Sequence, residues 1–232
     1  RGLKAVTAED IQPYCESVKA DKGGVQFTGD QEALYTVNLY SRTGMYALEL
    51  LASFNVRNDT QLYNEVHSFD WYSFMTPADT FSVRARTRST FFKDSNYSGL
   101  KVKDAIVDRL RTDAGRRPNV EKENPRYSFF VFIRDDEVKL YLNSSGNTLF
   151  MRGYREKIHK ASLNEALAAG LILLSGWERD KPFYDPMCGS GTLPIEAAMM
   201  ARNIPPAIKR KKFAFQGWSD YNHELWKRIL EK

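Results

Sequence analysis

The segment Asp185-Pro186-Met187-Cys188-Gly189-Ser190-Gly191-Thr192 restricts the fold more than any other part of the chain. It follows Phe183-Tyr184, read as a short strand, and precedes Thr192–Asn203, whose pattern predicts a helix. Pro194 falls in the first turn of that helix, where proline is tolerated. Strand, glycine loop and helix in that order form the opening unit of an α/β nucleotide-binding sheet. Two glycines let the backbone turn tightly and approach a ligand with no Cβ in the way. The helix start offers N–H groups and partial positive charge suited to a carboxylate. An acid at the strand end, Asp185, suits a cationic amine. A ligand with both an ammonium and a carboxylate fits this layout, and the methionine half of S-adenosylmethionine has both. Pro194 stands where the dinucleotide fingerprint needs its third glycine, and no lysine follows Gly191 as a P-loop requires, so nicotinamide and ATP readings both drop. Spacing alone leaves open a tight turn before a helix with no ligand.

The remaining pattern predicts an α+β front region. Ala8–Val18 carries apolar residues at uneven helical spacing, Lys22-Gly23-Gly24 signals a turn, and Val25-Gln26-Phe27 reads as a strand. Gln31–Tyr46 reads as a helix, and Tyr46–Phe54 as its extension or a strand. Further on, Leu62–Val66 and Trp71–Phe74 look helical, and Thr80–Arg86 alternates like a half-buried strand. Leu100–Arg111 places Val102, Ile106 and Leu110 on one helix face. Tyr127–Ile133 and Val138–Leu142 read as strands joined at Asp135-Asp136. Ser162-x-x-Glu165 has the form of a capping box, ahead of a helix whose Leu163, Leu167, Leu171 and Leu174 are expected to pack in the core. The expected sections are 1–56, 57–150 and 151–232.

Composition removes several classes. The 232 residues are 42% hydrophobic and 27% charged, values of an ordinary globular chain, and no run approaches the ~18 apolar residues of a membrane span. Cys15 and Cys188 are too few for a disulfide framework or a zinc site and suggest a reducing, cytoplasmic setting. His67, His159 and His223 are scattered, so no metal site is expected. The chain opens at Arg1-Gly2-Leu3 without methionine and is expected to be trimmed there.

Charge marks a second candidate site. Between Arg84 and Arg126 twelve basic residues face six acids, with Phe91, Phe92 and Tyr97 interleaved. Phosphate contact and base stacking would use this mixture, with Arg84, Arg86, Arg88, Lys93, Lys101, Lys103, Arg116 and Arg117 as candidate RNA contacts. A solvated helix face with Lys101, Asp104 and Asp108 paired along it is the plainer reading. Arg152, Arg155, Lys157 and Lys160 would extend the track or solubilise a linker, and Lys209-Arg210-Lys211-Lys212 reads as a solvated loop.

Asp185–Thr192 with Leu193-Pro194-Ile195-Glu196-Ala197-Ala198 resembles the first cofactor motif of RNA methyltransferases that carry a THUMP domain, in particular the large-subunit rRNA guanine-N2 methyltransferases of the RlmL type. Leu149–Arg155 is similar to that family's approach to its catalytic domain, and Ala161-Ser162-Leu163-Asn164-Glu165 to its A-P-L-x-E helix start. Lys103–Asp108 with Arg117-Pro118-x-Val120 resembles the THUMP signature. Arg1-Gly2-Leu3 and Asn38–Thr43 resemble the N-terminal ferredoxin-like section.

The resemblance implies a ferredoxin-like unit, a THUMP domain binding RNA, most simply 23S rRNA, and the start of a Rossmann-like methyltransferase domain. It implies an S-adenosylmethionine pocket built by Asp185, Pro186, Cys188, Gly189, Ser190, Gly191 and Thr192, and methyl transfer to a guanine N2 amine. Two departures accompany it. Asn143 stands where the family tends to have Asp, and no N/D-P-P-Y/F motif is present, since Pro205-Pro206 is followed by Ala207. These 232 residues are therefore expected to be the front part of such an enzyme, inactive alone. A stand-alone RNA-binding module and a DNA adenine-N6 methyltransferase are the alternatives.

Overall fold

The computed structural model describes residues 2–21, 23–111, 115–155 and 162–231. In chain order its elements are α1 (Lys4–Ile11), β1 (Ser17–Ala20), β2 (Val25–Thr28), α2 (Gln31–Tyr40), β3 (Leu48–Asn55), α3 (Asp59–Ser68), β4 (Thr80–Arg88), α4 (Ser95–Leu110), β5 (Asn119–Val120), β6 (Tyr127–Arg134), β7 (Glu137–Asn143), α5 (Glu165–Leu174), α6 (Thr192–Ala201) and α7 (His223–Leu230). They divide into two compact units. None of the described helices is long and apolar enough to cross a membrane.

One unit comprises residues 48–146 and 214–221. Its sheet has the order β3-β7-β6-β4-β5, with β4 parallel to β6 and to β5 and the other pairs antiparallel. The hairpin turn at Asp135-Asp136 lies where the sequence puts it, with Asp135 at φ +51°. Asp94 starts α4 by accepting the N–H groups of Asn96 (2.7 Å) and Tyr97 (3.2 Å). Val102, Ile106 and Leu110 then form a fully buried stripe, as their spacing predicts. α4 packs on β4, and α3 packs on α4. Trp71 is sealed in this core, edge-on to Phe129 at 5.1 Å, and its indole N–H donates to Val66 O at 2.7 Å. A buried indole with its one donor satisfied adds apolar area without a desolvation penalty.

The second unit comprises residues 1–47, 147–213 and 222–232. The β1-β2 hairpin and α2 enclose a small core of Ile11, Val37 and Ala47, joined by Val18, Val25, Phe27 and Leu34. α5 and α6 pair through Ala169, Ile172, Ala197 and Met200. α7 meets α2 where Trp226 stands edge-on to Tyr35 at 6.1 Å.

Several expectations are corrected here. α2 stops at Tyr40 rather than Tyr46, because Asp10 Oδ2 accepts the N–H of Arg42 (2.7 Å) and of Thr43 (3.0 Å), withdrawing both from the helix ladder. The chain beyond becomes β3. The helical segment at the start is α1, which ends before Gln12-Pro13-Tyr14 forms a 3-10 turn. Asn164, not Ser162, caps α5, accepting Leu167 N–H at 3.0 Å. Three of the leucines expected in the core, Leu167, Leu171 and Leu174, are exposed, Leu174 by 60%; the helix buries Ala166, Ala168, Ala169 and Ile172 instead, with Leu173 packed against them. Phe183-Tyr184 enters no ladder among the described residues; Phe183 packs instead against the core between α5 and α6.

Candidate functional site

The glycine loop turns on two residues in the left-handed region, Gly189 at φ +54° and Gly191 at φ +74°. Gly191 N–H donates to Cys188 O at 2.8 Å and closes the turn. Behind it, Asp185 Oδ1 accepts Met187 N–H at 3.2 Å. Gly191 is the N-cap residue of α6 and, as a glycine, provides no capping side chain, so the first-turn N–H groups have no side-chain cap. A Cβ placed on Gly189 would meet nothing within 4 Å. Pro186, Met187, Cys188, Gly189 and Ser190 are exposed, whereas Thr192 is buried. The turn is therefore exposed rather than filled by neighbours.

The segment before α5 ties down the start of α6. An Arg155 Nη2 N–H donates to Thr192 Oγ1, and Arg155 Nε lies 3.1 Å from Glu165 Oε1. Arg152 is 1% exposed and Glu196 0%, with Nε and Oε1 3.3 Å apart. Arg152 also donates to the carbonyls of Leu149 (3.0 Å), Ser41 (3.3 Å) and Arg42. Tyr154 OH donates to Glu196 Oε1 at 3.2 Å. Burial, reinforced by the Glu196 charge, pushes the Tyr154 phenol well above its usual range. Burial pushes the Arg210 guanidinium down to about 10, helped by the charge of Arg152, while its N–H groups hold the carbonyls of Thr148 (2.7 Å) and Met151 (3.0 Å).

These arginines differ from their sequence reading. Arg152 is sealed inside the unit and presents nothing to an RNA backbone. Arg155 is mostly buried against Glu165. Arg210 is a carbonyl clamp rather than part of a solvated loop. Lys157, Lys160, His159 and Ala161 lie outside the described residues.

In the sheet unit the basic candidates split into separate groups. Arg84, Arg86 and Arg88 project from the exposed side of β4. Lys101 and Lys103 belong to α4, which packs on the other side, where Val83 and Ala85 point. Lys101 Nζ lies over the Tyr97 ring at 5.7 Å, and Lys103 pairs with Asp104 at 2.7 Å. Asp108 pairs with Arg111 and accepts from Tyr63 OH at 2.9 Å, so the expected Lys101 pairing along the helix is replaced by other partners. Lys93, Arg116 and Arg117 are exposed on connecting segments. Asn143 closes the turn after β7, donating to Gly146 O at 2.7 Å and accepting Ser145 N–H at 3.0 Å; an Asp there could supply only the second bond. Among the described residues no cluster of His, Cys, Asp or Glu could hold a metal ion.

Comparison with known proteins bears on all three sections. Residues 1–45 match an RlmL ferredoxin-like domain, residues 56–143 a THUMP domain, and residues 152–231 an RMKL-like methyltransferase domain. The first and last of these models carry the RlmL and RMKL-like names, and the middle one is the THUMP domain. It is 35% identical over its whole length to the Synechocystis protein named "Putative RNA methyltransferase slr0064", covering 60% of that protein. To the "Ribosomal RNA large subunit methyltransferase K/L" of Photobacterium profundum it is 37% identical, with 99% of this chain and 32% of that protein covered. The chain thus spans between about a third and three-fifths of the length of these relatives. A Listeria monocytogenes crystal structure, described as a predicted N6-adenine-specific DNA methylase, superposes with a TM-score of 0.88 at 30% identity, covering 99% of this chain and 60% of that one. SMU.472, solved in complex with SAH, gives 0.87 at 30% identity, covering 99% and 61%.

Proposed function

We propose that this protein is an S-adenosylmethionine-dependent RNA methyltransferase, with the loop 185–192 as its cofactor cradle and the THUMP section as its RNA-binding part. The observation that carries the reading is the open glycine turn at an uncapped helix start, with a carboxylate behind it. The likeness to an SAH-bound structure and to named RNA methyltransferases supports it.

Bound there, the cofactor would supply an electrophilic sulfonium methyl. The residues of this chain do the holding. Asp185 offers its carboxylate to an ammonium group. The Thr192 and Leu193 N–H groups, at the positive end of α6, suit a carboxylate. Gly189 and Gly191 keep the approach clear of side chains. Cys188 lines the loop; attack by an amine on a methyl group needs alignment rather than a covalent adduct with a thiol.

The finer reading is methyl transfer to the N2 amine of a guanine in 23S rRNA by the whole protein, with 1–56, 57–150 and 151–232 as ferredoxin-like, THUMP and methyltransferase sections. The rRNA methyltransferase among the relatives supports it. Calorimetric titration with S-adenosylhomocysteine tests the cradle: Asp185→Ala should weaken binding roughly tenfold or more, the loss of one charge-assisted contact. Unchanged affinity overturns the reading. Nucleoside analysis after labelled methyl transfer tests the target. N2-methylguanosine in large-subunit RNA is expected, and N6-methyladenine in DNA would replace it with the DNA methyltransferase reading.

A further inference from the structure

Strand alternation places one face of the five-stranded sheet against α4 and leaves part of the other exposed, at Arg84, Arg86, Arg88 and Phe132. In register across that second face, Arg84 on β4 stands beside Phe130 on β6, which stands beside Tyr141 on β7; in the next row Arg86 stands beside Phe132, then Lys139. Phe130 and Phe132 hold their rings nearly parallel, 14° between planes and 6.3 Å between centroids. Tyr141 meets Phe132 edge-on at 5.7 Å. The Arg84 guanidinium lies over the Phe130 ring at 5.9 Å. Phe132 nonetheless remains 40% exposed. β5 pairs with β4 only at Thr80 and Phe81, so Arg84, Arg86 and Arg88 line a sheet edge directly beside these rings.

We propose that this face is a stacking platform for single-stranded RNA, with Phe132 as the exposed ring and Arg84, Arg86 and Arg88 as the phosphate rail. The inference rests on the RNA-binding part of the proposed function and names where and how that binding occurs. A strand face that only met water would not need aromatic rings at its centre. Arginines that only guarded an edge against pairing would not need to flank them. Every base has a π-face, so an aromatic ring accepts an unpaired base of any identity, while adjacent cations follow the backbone. Bases in a duplex are already stacked and would not reach Phe132. In the row beyond, Arg88 stands beside Arg134 and then Glu137, whose carboxylate is engaged by Lys139 at 3.2 Å.

Fluorescence anisotropy with a labelled ten-nucleotide single-stranded RNA, and with a hairpin duplex of equal charge, tests this on the 232-residue chain. Phe132→Ala should weaken single-strand binding about tenfold or more, and Phe132→Trp should retain it. Arg86→Glu should also weaken it and flatten its salt dependence. Circular dichroism melting of each variant verifies folding, which an exposed ring should hardly affect. Wild-type binding that persists unchanged in Phe132→Ala, or prefers the duplex, overturns the platform and leaves RNA binding elsewhere intact. Failure of the wild-type chain to bind either RNA overturns the platform together with the RNA-binding reading of this chain.

Discussion

Arg152 and Glu196 form an ion pair sealed from solvent, 3.3 Å from Nε to Oε1, and it joins the segment before α5 to the helix that follows the glycine loop. The geometry satisfies both partners: three backbone carbonyls and one phenol complete their hydrogen bonding. Removing one partner strands a buried charge, which costs about 3–5 kcal/mol. Arg152→Met and Glu196→Gln should each lower the unfolding free energy by that order in denaturant titrations. The double variant should lose less than the sum of the two, because the charge left behind by either change is removed by the other.

Asp10 gives a pH dependence of definite sign. Its burial raises the carboxyl pKa, although Thr43 and Arg42 N–H groups and the Thr43 and Ser41 hydroxyls pull it down. The folded protein therefore holds this proton more tightly than the unfolded chain, whose aspartates titrate near about 3.9. Stability from this group is present below that value and is lost as pH rises through the folded pKa. Asp10→Asn keeps an oxygen acceptor and cannot titrate. The stability of wild type relative to Asp10→Asn should fall as pH rises from about 3 and level off above the folded pKa, as read by denaturation at successive pH values.

Gly153 sits at φ +90°, and a Cβ there would lie 2.4 Å from Lys209 O. Both the left-handed backbone and the contact with a carbonyl oppose a side chain. Gly153→Ala should cost about 2 kcal/mol or more and lower the thermal midpoint by several degrees. Gly176 provides the control: it too has a positive φ, +68°, but open space around its Cβ position. Gly176→Ala should cost only the backbone strain of about 1 kcal/mol.

The leucines of α5 separate burial from periodicity. Leu174 is 60% exposed, so Leu174→Ala should change stability by less than about 1 kcal/mol, against the 2–5 kcal/mol of a core leucine. Ile172, at 3% exposure on the opposite face, should show the larger loss when changed to Ala. Parallel denaturation curves decide between the two faces.

Local chemistry explains what the sequence reveals and what it conceals. Val102, Ile106 and Leu110 reveal their helix because a period of 3.6 marks one buried stripe. The hairpin at Asp135-Asp136 is legible because turn residues separate two β-rich runs. The glycine turn before α6 is legible because few backbones besides glycine adopt its dihedrals. The end of α2 is concealed because an acid thirty residues earlier in the chain takes the N–H groups that would have continued it. Arg152 is concealed because a basic residue in a basic region looks solvated until Glu196 and the carbonyls around it are placed in space. α5 misleads because its helix is apolar on both faces, and periodicity then favours the larger residues over the small ones that allow close packing. The exposed part of the sheet face is concealed because Phe129–Ile133 is an unbroken apolar run, so its two sides are told apart only by register.

The carboxylate that stops α2 also determines what the next carbonyls can do. Once the backbone leaves the helix at Ser41, the oxygens of Ser41 and Arg42 point to Arg152 rather than along a helix axis. A lesion at Asp10 should consequently loosen Arg152, then Glu196, then the turn of α6 nearest the loop. Damage at the amino end of the chain would thus surface as weakened ligand retention far along the polypeptide, in a variant whose every loop residue is intact.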